Sequence, residues 1–398
     1  MKPVPQLLSH YPRGNRELNG LFQKHFTPSQ MKEWFKRRGV ELHTEADGRM
    51  FPVTNDSATI VNCLLEDAER GGVCIRTKEK VVSLSKVGDG ESDDGVGFVI
   101  ETSSGSQDIY DAVILATGSS RMGWDMAQSF GHSIVPPVPS LFTLNAKHQI
   151  KEGQVFCNLA GVSVPHAKTT LRIKVEGKKK KKVLEQEGPL LVTHHGLTGP
   201  AVLRLSAFAA REFHDLNYRT DVIVHWAPEF GNAMDIETQL WKMKGVTPKR
   251  NVASSCPLIN NPNDDDNTSP VIPRRLWSAL ARESGFEKDD IWAEVSKKKV
   301  GTLSRMIAEF NVDVTGKGVF KEEFVTAGGV KLKEITMKTM ESKKCEGLYF
   351  CGEVIDVDGV TGGFNFMNCW STGHTAGVNA VEKVLLSMSE NQNNEELV

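Results

Sequence analysis

The sequence predicts an α/β protein with a β-rich unit inserted into it. Three observations carry this. Ala112-Val113-Ile114-Leu115-Ala116 is a continuous apolar run closed by Thr117-Gly118, as for a strand covered on both faces. Leu348-Tyr349-Phe350-Cys351 is a second such run. It ends in Gly352-Glu353, crosses an acidic loop to Gly362-Gly363, and leads into a helix-length segment from Asn365 to about Leu386. Between the two runs, from Pro136-Pro137-Val138-Pro139 onward, the pattern changes to alternating stretches and then to amphipathic ones.

Taken in order, Thr27-Pro28-Ser29-Gln30 caps a short helix through Met31 to Phe35, ended near Gly39. Gly48 to Pro52 is a turn into Asn55-Asp56-Ser57, an N-cap. Ile60, Val61, Leu64 and Leu65 then recur at helical spacing until Gly71-Gly72. Strands are expected at Val73–Ile75, Val81–Leu84, Gly97–Glu101 and Ala112–Ala116, and a helix around Met126–Phe130 ending at Gly131. Beyond the prolines, strands are expected at Gln154–Phe156, Thr169–Val175, Val183–Leu184 and Pro189–Thr193, with a helix over Ala201–Arg211. Thr220–Trp226 reads as a strand. Ile236–Val246, Arg274–Ser284, Asp289–Lys298 and Leu303–Phe310 read as helices, with Asn261–Asn267 a polar loop among them. Val312–Val314 and Glu322–Val325 return to strands. No repeat of 20–50 residues is visible.

The composition is that of a globular chain: 398 residues, 39% hydrophobic, 25% charged, net charge -2. No whole-chain field favours nucleic acid or membrane, and no apolar run approaches the roughly 20 residues that span a bilayer. The seven cysteines are dispersed and form no CxxC. That suggests reduced thiols in an intracellular, soluble protein, without distinguishing cytoplasm from organelle. No third or fourth ligand is spaced for a metal, so none is expected.

Open α/β sheets bind cofactors at strand C-termini beside helix N-termini. A carboxylate just past a strand, such as Glu353, accepts hydrogen bonds from sugar-alcohol hydroxyls, and Gly362 and Gly363 let backbone approach a flat ring. This reads as the flavin-facing end of an FAD site.

Several stretches together resemble one flavoprotein family, the aminoacetone-oxidase-like or bile-acid flavin-reductase-like FAD-binding proteins. They are Gly48-Arg49-Met50-Phe51-Pro52, Ala116-Thr117-Gly118, Thr193-His194-His195-Gly196-Leu197-Thr198-Gly199-Pro200, Val325 to Val330, Thr339-Met340-Glu341-Ser342, Gly352 to Asp356, and Thr361 to Asn365. They follow the family's order over about Gly48 to Gly377. The resemblance implies an FAD/NAD(P)-binding Rossmann-like domain in two segments, 1–139 and 326–398. Between them, 140–325 would form an inserted β-barrel-like plus helical domain. Such proteins open with a βαβ unit carrying GxGxxG, on the order of 30 residues or more, and no GxGxxG occurs here. The expectation is a chain that lacks this N-terminal unit.

The resemblance also assigns residues. Gly352 and Glu353 would hold the ribityl or ribose hydroxyls, against the plainer reading of a strand-end carboxylate in a turn. Thr361, Gly362, Gly363, Phe364 and Asn365 would offer amides to the flavin pyrimidine edge, with Met367 a ring contact; an ordinary glycine turn is the alternative. Asp356 and Asp358 would keep the loop solvated. Ala116, Thr117 and Gly118 would pack near the dinucleotide, as could any buried strand end. Val81 would contact the adenine or be a core valine. His194 is the catalytic candidate, as acid or base, against a role in a turn before a helix capped by Thr198 or Gly199 with Pro200 near N1. The five lysines Lys178–Lys182 read as a solvated hairpin tip rather than a nuclear signal or RNA contact.

The expected function is therefore that of an FAD-dependent oxidoreductase passing hydride between a small molecule and noncovalent flavin, by amine oxidation or enone-like reduction. No nucleic-acid or membrane partner is expected. A non-catalytic remnant without FAD and an RNA-associated flavoprotein are the alternatives.

Overall fold

The computed structural model describes residues 3–45, 48–87, 97–174, 182–254, 256–259, 269–318 and 325–395, with side chains to 389 in the last helix. Lys178 to Lys181, Asn261–Asn267 and Glu322 to Phe324 lie outside the described residues. The fold is α/β, as expected. The chain divides into two compact units, one formed by 1–137 with 325–398 and the other by 138–324.

The first unit opens with helices α1 (Val4–Leu8), α2 (Glu17–Lys24) and α3 (Pro28–Arg37). Thr27 and Gln30 cap α3 reciprocally: Thr27 Oγ1 accepts from the Gln30 amide at 3.1 Å, and Gln30 Oε1 from the Thr27 amide at 2.8 Å. Strands β1 (Leu42–Thr44) and β2 (Met50–Pro52) form a small hairpin, followed by α4 (Ala58–Arg70). Helix α4 stops at Gly71 as expected, yet Val61, Leu64 and Leu65 are exposed. Val73–Ile75 is not a strand; Val73 and Ile75 are more than half exposed, with no partner strand among the described residues to bury them. Strands β3 (Val81–Lys86), β4 (Phe98–Thr102) and β5 (Gln107–Tyr110) form an antiparallel meander. Then come β6 (Val113–Leu115), α5 (Arg121–Ser129) and β7 (Ile134–Ser140). The proline boundary is itself strand, because each proline fixes an extended φ without needing a ladder donor.

The second unit holds β8 (Leu144–Asn145), α6 (Lys147–Ile150), β9 (Ser163–Ile173), β10 (Lys182–Val192), β11 (Gly196–Thr198), α7 (Pro200–Phe208), α8 (Ala210–Asp215) and β12 (Thr220–His225). It continues with α9 (Ala233–Val246), α10 (Arg274–Glu283), α11 (Lys297–Ala308), β13 (Phe310–Val314) and β14 (Gly316–Lys317). The sheet order is β13-β12-β9-β10-β11-β8-β14. Its two ends are joined through the single residue Thr315, so the sheet curls on itself, as a barrel-like part requires. The expected strands at Val183–Leu184 and Pro189–Thr193 are one strand, β10, whose register shifts between Gly188 and Leu190. Gln154–Phe156 is a turn, since Phe156 is buried but its amide bonds Gln149 O at 2.9 Å. Asp289–Lys298 is not one helix: Trp292–Glu294 makes a 3₁₀ turn, and Ser296 caps α11 through the Lys299 amide. The Ala201–Arg211 helix breaks at Ala209. The core gathers Trp226, Trp277 and Trp292 with Phe156 and Phe213.

The chain returns to the first unit through β15 (Val325–Val330), β16 (Ile335–Thr336), β17 (Glu341–Ser342), β18 (Leu348–Phe350) and α12 (Gly362–Glu395). The central sheet runs β16-β17-β18-β6, with β18 parallel to β6 in the register Leu348↔Val113 to Phe350↔Leu115. Phe350 and Tyr349 are buried among Phe22, Phe98 and Ile355. Strand β6 is not covered on both faces: Ile114 is 37% exposed, because β6 lies at the sheet's end. Helix α12 starts three residues earlier than expected and likewise exposes Val378, Val381 and Leu385.

Candidate functional site

The parallel strands β6 and β18 end side by side, with the Cys351 amide donating to Leu115 O at 3.1 Å. Each chain then turns on a glycine in the left-handed region, Gly118 at φ 62° and Gly352 at φ 75°. Helix α12 holds the second turn. The Gly352 amide donates to Thr372 Oγ1 at 2.9 Å, and Asn368 Nδ2 donates to Gly352 O at 3.2 Å. A Cβ on Gly352 would sit 3.3 Å from Cys369 Sγ.

Glu353 follows, half-buried, its backbone hydrogen-bonded to the Cys369 sulfur and its carboxyl without a hydrogen-bond or ion-pair partner among the described residues. Burial raises its pKa, and the neighbouring Asp358 raises it further. The loop beyond is not solvated. Val354, Ile355, Val357 and Val360 are in the core, and Asp358 is 1% exposed and ion-paired with Arg13. The expectation for Asp358 is thereby corrected: alternating apolar residues draw the loop inward, and the carboxylate goes with them to a guanidinium.

Asn365 closes this loop onto the start of α12. Its Oδ1 accepts from the Gly359 amide at 2.8 Å, and its Nδ2 donates to Gly359 O at 3.2 Å and Thr361 O at 3.0 Å. Tyr11 Oη donates to Phe364 O at 2.7 Å, and the His10 ring stacks on Phe364 at 4.5 Å. The amides of Phe364 and Asn365 bond Thr361 O, whereas Gly362 and Gly363 are exposed at the positive end of a long helix. Met367 is half-buried on the first turns.

Near these turns the buried Asn368 Oδ1 and Ser119 Oγ have no hydrogen-bond partner among the described residues. A Cβ on Gly118 or Gly362 would meet nothing within 4 Å. Burial pushes the Cys351 thiol up to about 11 and the Cys369 thiol up to about 12, so neither is a thiolate at neutral pH. Ala116, Thr117, Gly118 and Gly352 to Met367 thus gather at one edge of the central sheet. Val81 stands apart on the β3-β4-β5 meander, half-buried against the same core.

His194 is in the other unit. It is exposed and lines a cavity of about 470 Å³ with His195, Lys147, Lys151 and Asn145. The turn that carries it bonds Thr193 Oγ1 to the His195 and Gly196 amides, and Gly199 precedes Pro200 at N1 of α7, so the capping reading also describes the segment.

Sequence reasoning missed Tyr11, Arg13 and Asn368. Arg13 and Asp358 are 345 residues apart with no periodic signal to link them. Asn368 had one, lying three residues beyond Asn365 on the same helical face.

A model of the HI0933-like protein Rossmann domain matches residues 1–379. The chain belongs to this family. Among relatives of the HI0933-like chain, a ribosomal RNA dihydrouridine synthase of Escherichia coli (strain K12) is 30% identical over 359 residues, covering 87% of this chain and 78% of that protein. A ribosomal RNA dihydrouridine synthase of Haemophilus influenzae is 28% identical over 351 residues, 85% and 76% of the two chains. A 3-dehydro-bile acid delta(4,6)-reductase of Clostridium scindens is 26% identical over 369 residues, 90% and 82%. An HI0933-like Rossmann domain suggests a flavin or nucleotide cofactor, and the reductase relative fits an oxidoreductase. Among the described residues no helix is long and apolar enough to cross a membrane.

Proposed function

We propose that this chain is an FAD-dependent reductase that saturates a carbon–carbon double bond conjugated to a carbonyl. The observation that carries it is the Gly352-Glu353 turn: a half-buried, unpartnered carboxyl at a parallel strand's end, beside the amides that open α12. The names of the three relatives support the bond type, since dihydrouridine synthesis and a delta(4,6)-reduction each saturate a ring double bond.

FAD, when bound, supplies the hydride. Glu353 accepts a hydrogen bond from a sugar-alcohol hydroxyl and, in doing so, regains a stabilised charge. Gly362 and Gly363 present N–H groups, and the positive end of α12 favours negative charge beside them. Asn365 and Asn368 keep that backbone in place. His194 is the proposed proton donor, an exposed imidazole of the 138–324 unit.

The test is to add FAD to the purified chain and remove the excess by gel filtration. The expected result is a retained flavin visible spectrum, and, after anaerobic reduction, reoxidation on adding a uridine-containing RNA or a 3-keto-Δ4 steroid. A chain that stays colourless, or a reduced flavin that neither acceptor reoxidises, would overturn the reading.

A second reading, a self-associating protein without redox activity, is favoured by the exposed apolar row Val378, Val381 and Leu385 on α12. It predicts a colourless oligomer in the same experiment.

A further inference from the structure

We propose that a concavity in the 138–324 unit, built on α10, binds the phosphodiester backbone of a nucleic acid. The cavity has a volume of about 500 Å³ and is lined by Arg274, Arg275, Arg282 and Ser278 of α10 with Cys157 and Asn158. The three guanidiniums line one hollow, and among the described residues no carboxylate lines it with them. Among the described residues none of the three has an acidic partner within ion-pair distance. Some other arginines are ion-paired, Arg38 with Asp67 and Arg76 with both Glu79 and Asp108, and Arg275 also donates to Asn158 O on the wall of the hollow.

The arginine face is held rigid from behind. Leu276, Trp277 and Leu280 are fully buried, Trp277 Nε1 donates to Val252 O at 2.8 Å, and Ser278 Oγ donates to Ala253 O at 2.7 Å. Arg274 and Arg275 also occupy the first turn of α10, where no acidic residue offsets the positive helix end. Cations there oppose the helix dipole, at about 0.3–1 kcal/mol each, and an anion held between them would offset that cost. Planar guanidiniums suit phosphate oxygens, which they engage in pairs.

The surrounding charge is consistent. Residues 138–324 hold 27 Lys and Arg against 22 Asp and Glu, while the remainder holds 21 against 28. A second cavity in the same unit is lined by Lys147 and Lys151, again with no carboxylate among the described residues of its lining, and the stretch from Lys147 to Asn158 reaches both. A lipid surface would call for large exposed apolar side chains beside the arginines, and none lines this hollow.

The inference does not depend on flavin. It is tested on the full chain by fluorescence anisotropy with labelled single-stranded RNA and DNA of one sequence, across a salt series, recording the visible spectrum of each sample. The triple substitution Arg274→Gln, Arg275→Gln, Arg282→Gln is expected to weaken binding about tenfold or more at low salt and to lower the salt slope by about 2. Arg121→Gln, on a 92% exposed side chain of the other unit, is expected to change neither. The single variants Arg274→Gln and Arg282→Gln, each on an exposed side chain, guard against misfolding in the triple and are expected to weaken binding in part. Preference for RNA or for DNA tells which backbone is taken, and either supports the site. Wild-type binding that survives the triple substitution, no binding to either strand, or equal competition by polyglutamate or phosphatidylserine vesicles would overturn it.

Discussion

Arg13 and Asp358 form an ion pair across 345 residues of sequence, with the Asp358 side chain 1% and the Arg13 side chain 14% exposed. The pair ties the segment before α2 to the loop that carries Glu353. Removing Arg13 takes the guanidinium away from a buried carboxylate, so Arg13→Ala is expected to cost about 3 kcal/mol of stability. The double change Arg13→Met with Asp358→Leu should cost less. Denaturant midpoints decide it; Arg13→Ala behaving like the exposed control Arg37→Ala would refute the assignment.

Glu353 sets a pH dependence of one sign. Its folded pKa lies above the unfolded value, through burial and Asp358. The stability it contributes is therefore complete below the unfolded pKa and lost as pH rises through the folded one. Glu353→Gln is expected to match wild type in acid and exceed it near neutral pH without cofactor. With FAD present the order should reverse, because the carboxylate then has hydroxyl donors. Thermal melts of both proteins against pH, with and without FAD, read this directly.

Glu334 works in the opposite direction. Burial raises its pKa, but the Ser133 amide and Lys344 outweigh that and hold it at about 2. Its contribution is present above the unfolded value near 4.5 and lost as pH falls toward 2. Glu334→Gln should thus flatten the acid limb of the stability profile. An acid limb unchanged from wild type would remove Glu334 from it.

His194→Gln is expected to leave flavin retention intact and to slow substrate reduction by about a hundredfold, the usual scale of general acid catalysis. A rate equal to wild type would return His194 to its capping turn.

Val378, Val381, Leu385 and Met388 follow a three–four–three spacing and are 43–60% exposed. Such a row has the spacing of a helix-pairing seam. Val381→Glu with Leu385→Glu is expected to lower concentration-dependent association in sedimentation velocity without lowering the melting temperature. A wild type that is monomeric at every concentration would refute it.

Much of this was legible in the residues. The apolar runs at β6 and β18 and the glycines after them located the candidate site, because strand ends and left-handed turns are written locally. Helix α3 was readable from Thr27 and Gln30 for the same reason. The failures share a cause. Val73 to Ile75 has strand composition but no partner, and Trp292 anchors a single 3₁₀ turn where periodicity suggested a helix. Asp358 looked like a solvated loop residue until Arg13 supplied its counter-charge. The arginines of α10 were in plain view, yet that they share one hollow emerges only in three dimensions.

Strand β6 carries one more consequence. It lies at the end of its sheet, paired only with β18 among the described residues, and Ile114 faces outward. Backbone donors and acceptors on that side are a template for any extended chain that passes. Chaperones and proteases act on open edges of this kind, so an edge left unpaired would lower the protein's abundance in a cell.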